Sequence, residues 1–265
     1  MSEDKLDFAQ ELQGFEKVLG ESIRLSQQKA NIASPTARHF YASVLFTTLI
    51  TKAVSLAILL PHSTYSKKKF EHWDYSSTFV ITRTLLETRI AFFYICVDAC
   101  TEDEWDCRWN IFNVHDCLSR RQIFADIGAQ TTDFETTAEE LRSRLARNPS
   151  FLALPNGLKK RINDGKVAFL QPLEEIADRA GFDVADFRWF YRFSSGHVHS
   201  FPAAFYRMHP DMEDRGRGVH SSIEEGYTAL AVSISKKLLE DSHRDFGKMF
   251  SGLEPLPNDT IGGSS

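Results

Sequence analysis

The segment YRFSSGHVHSFP, Tyr191–Pro202, carries side chains whose types and spacing could do chemistry. One arginine and two histidines fall within the nine positions from Arg192 to Ser200. An imidazole can move a proton, and a guanidinium can stabilise the extra negative charge on phosphorus oxygens. Cleavage of RNA needs no metal, because the 2′-hydroxyl attacks its own phosphate. These residue types therefore favour phosphate chemistry on RNA.

The spacing predicts which of these side chains lie together. A helix turns by about 100° per residue, so Arg192 and His199 are expected within about 20° of one face. Ser195 and Gly196 fall on that same side. His197 is about 140° from Arg192 and is expected to point elsewhere unless the helix loosens. Both histidines fall in the last turns, where the helix dipole favours a protonated imidazole and the nearby arginine opposes it.

Two other interpretations of this segment stay open. It can be a polar helix end, in which His197 or His199 bonds the last carbonyl groups and Arg192 pairs with an acid such as Asp186 or Glu87. It can also be a non-catalytic site for an anionic ligand. The surrounding aromatic residues could stack on bases, but aromatics at helical spacing are assigned to the core: Trp189, Phe190, Tyr191, Phe205 and Tyr206.

A second candidate pair is Arg83 and Glu87, in the stretch ITRTLLETRIAFFY. The two residues are four apart and therefore face the same way on a helix. They can form an internal ion pair that ties this helix to another. Alternatively, Arg83 stands in a cleft and Glu87 orients it, and the pair then supports the site together with Tyr191 and Ser195.

The stretch Arg192-Phe-Ser-Ser-Gly-His197 resembles the motif of the HEPN superfamily, an arginine followed after four to six residues by a histidine. Arg192 to His199 fits its longer form. The resemblance implies a helical bundle and catalytic roles for Arg192, His197 and His199. It also implies a dimeric, metal-independent ribonuclease of a toxin–antitoxin or phage-defence system, with two motifs meeting at the dimer interface. HEPN nucleases usually carry a polar residue after the arginine, where this chain has Phe193.

The wider pattern resembles a second family. RTLLE at Arg83–Glu87, followed by YRFSSGHVHS, is similar to bacterial helical proteins of unknown function with RxxxE and SxxH types of motif. This resemblance covers roughly residues 40 to 250 and is the closer one in length and layout.

Charge and cysteine content limit the ligands and cofactors that the chain is expected to bind. The net charge of −5 means that contact with RNA needs a local basic patch. The four cysteines lie within 22 residues, from Cys96 to Cys117, at spacings that do not suit a zinc site. We interpret them as small buried residues of a protein in a reducing cytoplasm, since no secretory signal opens the chain. No phosphate, dinucleotide or metalloprotease motif occurs, so neither a metal nor a cofactor is expected.

Start and stop signals predict an all-α bundle of five or six long helices with shorter ones inserted. We expect one domain over residues 1–252 and a disordered tail over 253–265. Predicted helix starts are Ser34-Pro35, Asp74, and the capping boxes Thr101-Glu-Asp-Glu104 and Ser221-Ser-Ile-Glu224, while Pro202 is predicted to end the helix that contains Arg192.

The most apolar stretch, Val44–Leu60, has 17 residues with Lys52 in the middle, so a core helix is expected rather than a membrane span.

The leading hypothesis is a cytoplasmic, HEPN-like ribonuclease that acts as a toxin or phage-defence effector. Its expected partners are RNA, a second copy of the chain and a protein such as an antitoxin, with no membrane. The alternative is a non-catalytic binding or scaffold protein that recognises an anionic ligand or a protein partner.

Overall fold

Helices make up all regular structure in the part of the chain that the computed structural model describes, residues 6–67, 70–205 and 218–254. In chain order they are α1 (Phe8–Gln28), α2 (Ala37–Leu59), α3 (Tyr75–Phe92), a π-helical segment (Phe93–Val97), α4 (Glu102–Asp126), α5 (Thr132–Leu145), α6 (Pro149–Leu152), α7 (Asn156–Asn163), α8 (Leu173–Arg179), α9 (Val184–Val198), α10 (Pro202–Phe205) and α11 (Ser222–Met249). The predicted all-α multi-helix bundle is confirmed.

Capping side chains set three helix starts where the sequence predicted them. Each accepts the amide N–H three residues later: Asp74 from Ser77 at 3.0 Å, Thr101 from Glu104 at 3.2 Å and Ser221 from Glu224 at 3.2 Å. The predicted start at Ser34-Pro35 is wrong by two residues. Thr36 has the extended backbone of a capping residue, with φ −140° and ψ 165°, and α2 begins after it at Ala37.

Pro202 starts a helix and does not end the one before it. Helix α9 ends at Val198, and Ser200 adopts the left-handed φ of 50° that reverses the chain. Pro202 then takes the first position of α10. Proline suits that position because its missing N–H would have no helical partner there and its φ is already fixed.

The chain divides into two compact units. The first unit combines residues 1–97 with residues 185–265, and the second comprises residues 98–184. Two units, each with its own core, can form one domain or two, so a single domain over residues 1–252 stays a prediction. Most of the predicted disordered tail lies outside the described residues, which end at Glu254.

In the first unit, α11 packs against α1, α2 and α3. Phe46 of α2 stacks on Phe246 of α11 at 4.2 Å between ring centres, and Phe246 stacks on Phe250 at 4.4 Å. All three rings are buried. Burial of large apolar side chains is the main favourable contribution to folding, so this cluster anchors the two halves of the first unit.

Helix α2 contains the apolar stretch that the sequence assigned to the core. The Lys52 ammonium donates to Thr88 Oγ1 at 2.6 Å and to the Thr84 carbonyl at 3.2 Å, so it is turned towards α3. Among the described residues, α2 alone is long and apolar enough to cross a membrane, with a mean hydropathy of 1.8 over an 18-residue window of which 39% is buried. A core helix meets the same criterion, and α2 contributes seven buried residues: Ala42, Phe46, Leu49, Ile50, Ala53, Leu56 and Ala57.

The second unit has a separate apolar core, to which α4 and α5 contribute Cys107, Ile111, Val114, Leu141 and Leu145. A buried arginine, Arg108, lies beside this core and is 1% exposed. Its guanidinium donates to Asp98 at 2.7 Å and to Glu104 at 2.6 Å. A buried cation needs such partners, because an unpaired charge in the interior costs several kcal/mol, of the order of 3–5.

Candidate functional site

Helix α9, which carries Arg192 and His197, lies against α3 through one stripe of side chains. Phe190, Phe193 and His197 follow helical spacing and all contact Phe79 of α3, at 6.0, 4.9 and 5.4 Å between ring centres. Ser194 lies in the same stripe, fully buried, and its hydroxyl donates to the Phe190 carbonyl at 2.7 Å. This packing fixes which faces of α9 remain open.

Arg83 joins α3 to the middle of α9. Its Nε donates to Glu87 Oε1 at 3.0 Å, and its Nη1 donates to the Tyr191 carbonyl at 3.2 Å. The guanidinium carbon lies 4.1 Å from the centre of the Tyr191 ring, within the range of a cation–π contact. Arg83 and Glu87 do face the same way, and the contacts with Tyr191 favour the interpretation in which the pair ties one helix to another.

His197 lies in an aromatic enclosure at the end of α9. The side chain is 7% exposed, and its Nδ1 is hydrogen-bonded to Ser76 Oγ at 3.0 Å. The ring stacks on Phe79 and meets the edges of Tyr75 and Phe193 at 5.5 and 4.8 Å. Because Ser76 engages Nδ1, proton transfer to a ligand falls to Nε2.

Burial lowers the pKa of His197 below its ordinary value of 6.5, and the negative charge of Asp74 only partly opposes this shift. The imidazole is therefore neutral at pH 7 and suited to accept a proton. This differs from the protonated form that the dipole of α9 alone would favour. Desolvation outweighs the dipole because the charged form loses its hydration inside the enclosure.

A cavity of about 630 Å³ opens along α9, and we call it the Arg192 cavity. Its lining includes two arginines, Arg188 and Arg192, together with His197. No carboxylate is among the described residues that line it. The cavity thus contains two guanidinium groups and a neutral imidazole, and groups of these types can bind an anionic ligand.

Aromatic side chains form much of the remaining wall. Trp189 and Phe201 line the cavity and are 45% and 54% exposed. The sequence assigned Trp189 to the core, and this assignment is wrong, because its position on α9 turns the indole outwards. An exposed aromatic ring beside arginines can stack on a planar ligand such as a nucleobase.

Arg192 and His197 are both among the described residues that line the cavity, and His199 is not. His199 lies just beyond the end of α9, is exposed, and stacks on Phe201 at 5.4 Å. His197 is buried against Ser76 and Phe79 of α3, whereas Arg192 is exposed, and the cavity extends over both parts of α9. Ser195 is half-buried on the same helix.

The sequence analysis missed Ser76, Phe79 and Tyr75, which hold the His197 ring. They belong to α3, and Ser76 is 121 positions away from His197. The cap at Asp74 predicted a helix start here, but no spacing rule connects that start to the end of α9. Arg188 was also missed, although it lies one helical turn before Arg192 and its position on the same face was readable from the sequence.

None of the four cysteines forms a disulfide. Burial raises the pKa of Cys96 and of Cys107 to about 12, and it also raises the pKa of Cys117. Within the described residues, no group of three or more His, Cys, Asp or Glu side chains is arranged to hold a metal ion. The thiols of Cys96, Cys107 and Cys117 therefore behave as small apolar residues of the interior.

The fold and the site define an all-helical protein with an arginine–histidine cavity on its ninth helix. The chain belongs to a family of unknown function, DUF5677, whose model matches residues 39–217. The match includes Arg83, Glu87, Arg192, His197 and His199. No curated protein is significantly similar to the chain, and no solved structure is either. The resemblance to the HEPN superfamily stays a proposal.

Proposed function

We propose that this protein is a HEPN-like, metal-independent ribonuclease, with Arg192 and His197 at its active site. One observation carries the proposal: both side chains line the same open cavity, and His197 is neutral, buried and bonded through Nδ1. A neutral imidazole can act as a general base through Nε2 in the tautomer whose Nδ1–H donates to Ser76 Oγ, and the proposal uses this tautomer.

The proposed reaction begins when His197 Nε2 takes the proton of a ribose 2′-hydroxyl. The 2′-oxygen then attacks the adjacent phosphorus, and the bond from phosphorus to the 5′-oxygen breaks. Arg192 stabilises the negative charge on the non-bridging oxygens. The 5′-oxygen leaves with a proton, so the products are a 2′,3′-cyclic phosphate and a 5′-hydroxyl, with no water consumed.

The proton on the leaving oxygen needs a second group, because the entering and leaving oxygens lie on opposite sides of the phosphorus. His199 is one candidate, since it stacks on Phe201 of the cavity wall. The other is His197 of a second copy, in the dimeric arrangement that the HEPN resemblance implies. Arg83, Glu87, Tyr191 and Ser195 take supporting roles, by holding or flanking the part of α9 that carries Arg192.

Single-stranded RNA fits the walls of the Arg192 cavity. Arg188 and Arg192 can neutralise backbone phosphates, and the exposed rings of Trp189 and Phe201 can stack on unpaired bases. Base stacking on an aromatic residue contributes about 1–3 kcal/mol per base. In the cell we place this activity in the cytoplasm, as a homodimeric toxin or phage-defence effector that a protein such as an antitoxin restrains.

A non-catalytic protein that binds an anionic ligand or partner is the second candidate. The enclosure of His197 favours it, because three aromatic rings limit access to the imidazole. In this function Arg188 and Arg192 hold the ligand, and His197 serves mainly as a hydrogen-bonding part of the wall.

The test uses the purified full-length chain, labelled single-stranded RNA and EDTA. The ribonuclease proposal expects fragments with 2′,3′-cyclic phosphate ends, and a rate at least about 100-fold lower in Arg192→Ala and His197→Ala. Arg120→Ala, an exposed arginine of α4, is the matched control and should cleave like the wild type. Undiminished cleavage by a folded His197→Ala/His199→Ala double variant would overturn the mechanism.

Gly196→Leu distinguishes the two candidate functions from each other. It also shows whether cleavage comes from this protein or from a contaminating nuclease. Gly196 lines the cavity, and nothing lies within 4 Å of an added Cβ, so a leucine fills the cavity without removing Arg192 or His197. Glycine is a poor helix former, so this change should not weaken α9. RNA that binds the wild type without being cut, and no longer binds Gly196→Leu, identifies the non-catalytic protein.

A further inference from the structure

The second unit carries a concentration of positive charge on its short helices. Residues 142–163, from the last turn of α5 to the end of α7, contain six Lys and Arg residues and no Asp or Glu. We call these six residues the basic patch: Arg142, Arg144, Arg147, Lys159, Lys160 and Arg161. The whole chain has 36 acidic residues and a net charge of −5, so the patch is opposite in sign to the protein as a whole.

Two contacts join the helices that carry the basic patch. Arg142 of α5 donates from Nε to the Asn163 carbonyl, at the end of α7, at 3.0 Å. Lys159 of α7 donates from Nζ to the Leu152 carbonyl of α6 at 2.6 Å. The six cations therefore belong to a set of adjoining helices and helix ends within one unit.

The basic patch has no carboxylate partner in the described part of the chain. Three of its cations donate to backbone carbonyl groups, which carry no net charge. The other three are exposed and form no ion pair with another described residue: Arg144, Lys160 and Arg161. Arginines elsewhere in the second unit do have carboxylate partners, as Arg108 and Arg120 show. The positive charge of the patch is thus left uncompensated by its described surroundings.

Helix dipoles account for only a small part of this charge. The last turns of α5 and α7 contain four of the six cations, and a cation there stabilises the partial negative charge of the helix end. That partial charge is about half a unit for each helix. Two helix ends therefore offset about one of the six positive charges, and helix stability does not explain the others.

We propose that the basic patch binds the phosphate backbone of a nucleic acid. Helix α7 has 8 residues and is about 12 Å long, and one strand presents a phosphate about every 3.4 Å, so about three to four phosphates match its length. Arginine suits this ligand because its guanidinium can bind two phosphate oxygens at once. No residue of the patch is among the described lining of the Arg192 cavity, so this proposal does not rest on the ribonuclease function.

Other anionic partners fit the basic patch less well. A helix that lies on a membrane needs an open apolar face, but Leu158 and Ile162 of α7 pack into the core of the second unit. A protein interface is rich in apolar anchors and poor in lysine at its centre. Of the large apolar side chains in residues 142–163, only Leu152 is exposed. A phosphate backbone is recognised mainly through charge, which is what the patch supplies.

The test measures the fluorescence anisotropy of two labelled single strands with the full-length chain at increasing KCl. One strand is oligouridylate RNA, 2′-O-methylated so that it cannot be cleaved, and the other is oligothymidylate DNA. We expect log K to fall with log salt concentration at a slope of about −4, since each of six neutralised phosphates contributes about −0.7. Arg144→Gln/Lys160→Gln/Arg161→Gln should bind at least about tenfold more weakly, with a slope of about −2.

The matched control is Arg120→Gln/Arg121→Gln/Lys237→Gln, which changes the net charge by the same amount. Each of these three cations lies within 4 Å of a carboxylate, and we expect the control to bind like the wild type. Circular dichroism checks that each variant is folded. Lys160→Gln/Arg161→Gln serves as a second variant, because it changes only two exposed side chains of α7.

Four results would overturn the proposal. The first is no salt-sensitive binding of either strand to the wild type. The second is unchanged binding by the folded patch variants, including the case in which only Arg192→Ala loses affinity. The third is an equal loss in the control, which would mean that binding responds only to net charge. The fourth is equal or tighter binding of polyglutamate or of anionic lipid vesicles, which would assign the patch to another class of partner. Equal affinity for RNA and DNA supports recognition of the backbone, and a preference for the RNA strand supports it for RNA.

Discussion

Ser76 Oγ and His197 Nδ1 lie 3.0 Å apart and join the first turn of α3 to the last turn of α9. The two helix ends that meet here have opposite dipoles. The carboxyl end of α9 favours an imidazolium, while the amino end of α3 disfavours it. Burial is the main cause that lowers the pKa of His197, and the negative charge of Asp74 opposes it only in part, so the balance lies with the neutral ring.

The first prediction concerns the pH dependence of stability. The folded pKa of His197 is below its ordinary value of 6.5, so below pH 6.5 the unfolded chain binds a proton there that the folded protein does not. The free energy of unfolding should therefore decrease as the pH falls from 6.5 towards the folded pKa, and this contribution should level off below it. Urea unfolding of the wild type and of His197→Gln across this range measures the effect, and identical pH slopes would contradict it.

The second prediction is that Ser76→Ala changes the titration midpoint of the His197 ring, whereas Ser77→Ala leaves it unchanged. Loss of the hydroxyl leaves a buried ring nitrogen without its partner, which costs about 1–3 kcal/mol. Ser77 is the adjacent residue, and its backbone amide is capped by Asp74, so it controls for local damage to α3. NMR titration of the His197 ring should show a changed midpoint in Ser76→Ala alone. Equal midpoints in both variants would mean that the hydroxyl does not set the state of the ring.

The third prediction separates the two partners of Arg83. Arg83→Ala should destabilise the protein by about 1–2 kcal/mol, because it removes both the hydrogen bond and the ring contact to Tyr191. Glu87→Gln should cost less than about 0.5 kcal/mol, because Glu87 is 47% exposed whereas Arg83 is 12% exposed. Chemical unfolding gives both values. A loss in Glu87→Gln as large as in Arg83→Ala would assign the stabilisation to the ion pair instead.

The fourth prediction is that iodoacetamide modifies the cysteines of the folded protein at different rates. Thiolates are the reactive form, and a pKa of about 12 leaves almost none at Cys96 or Cys107 at pH 8. Iodoacetamide should therefore modify the half-buried Cys100 first, and Cys96 and Cys107 only after unfolding. Peptide mass spectrometry follows each site. Labelling of Cys107 in the folded protein at the rate of Cys100 would contradict the burial of the second unit's core.

Local signals made much of the fold predictable. Asp74, Thr101 and Ser221 mark helix starts because each cap closes a hydrogen bond three residues away, within reach of a sequence pattern. Pro202 misled the prediction because proline is tolerated at a helix start as well as beyond a helix end. The left-handed turn at Ser200 places Pro202 at the start of α10 and not at the end of α9. A serine gives no indication of that backbone conformation in the sequence.

The candidate site was half predictable. Arg192 and His197 stand on one helix, so their types and spacing were visible in the sequence. Their shared cavity was not, since a rotation of about 140° separates them on an ideal helix and only the packing on Phe79 shows which faces stay open.

The first unit is assembled from both ends of the described sequence, with residues 98–184 inserted between its parts. A ribosome therefore releases α1, α2 and α3 well before α9 and α11, on which those helices pack. During synthesis, Phe46 of α2 and Phe79 of α3 are made before the rings that cover them, Phe246 of α11 and Phe190 of α9. At a synthesis rate of about 5–20 residues per second, such a nascent chain exposes apolar surface for several seconds. This exposure makes it a suitable substrate for chaperones.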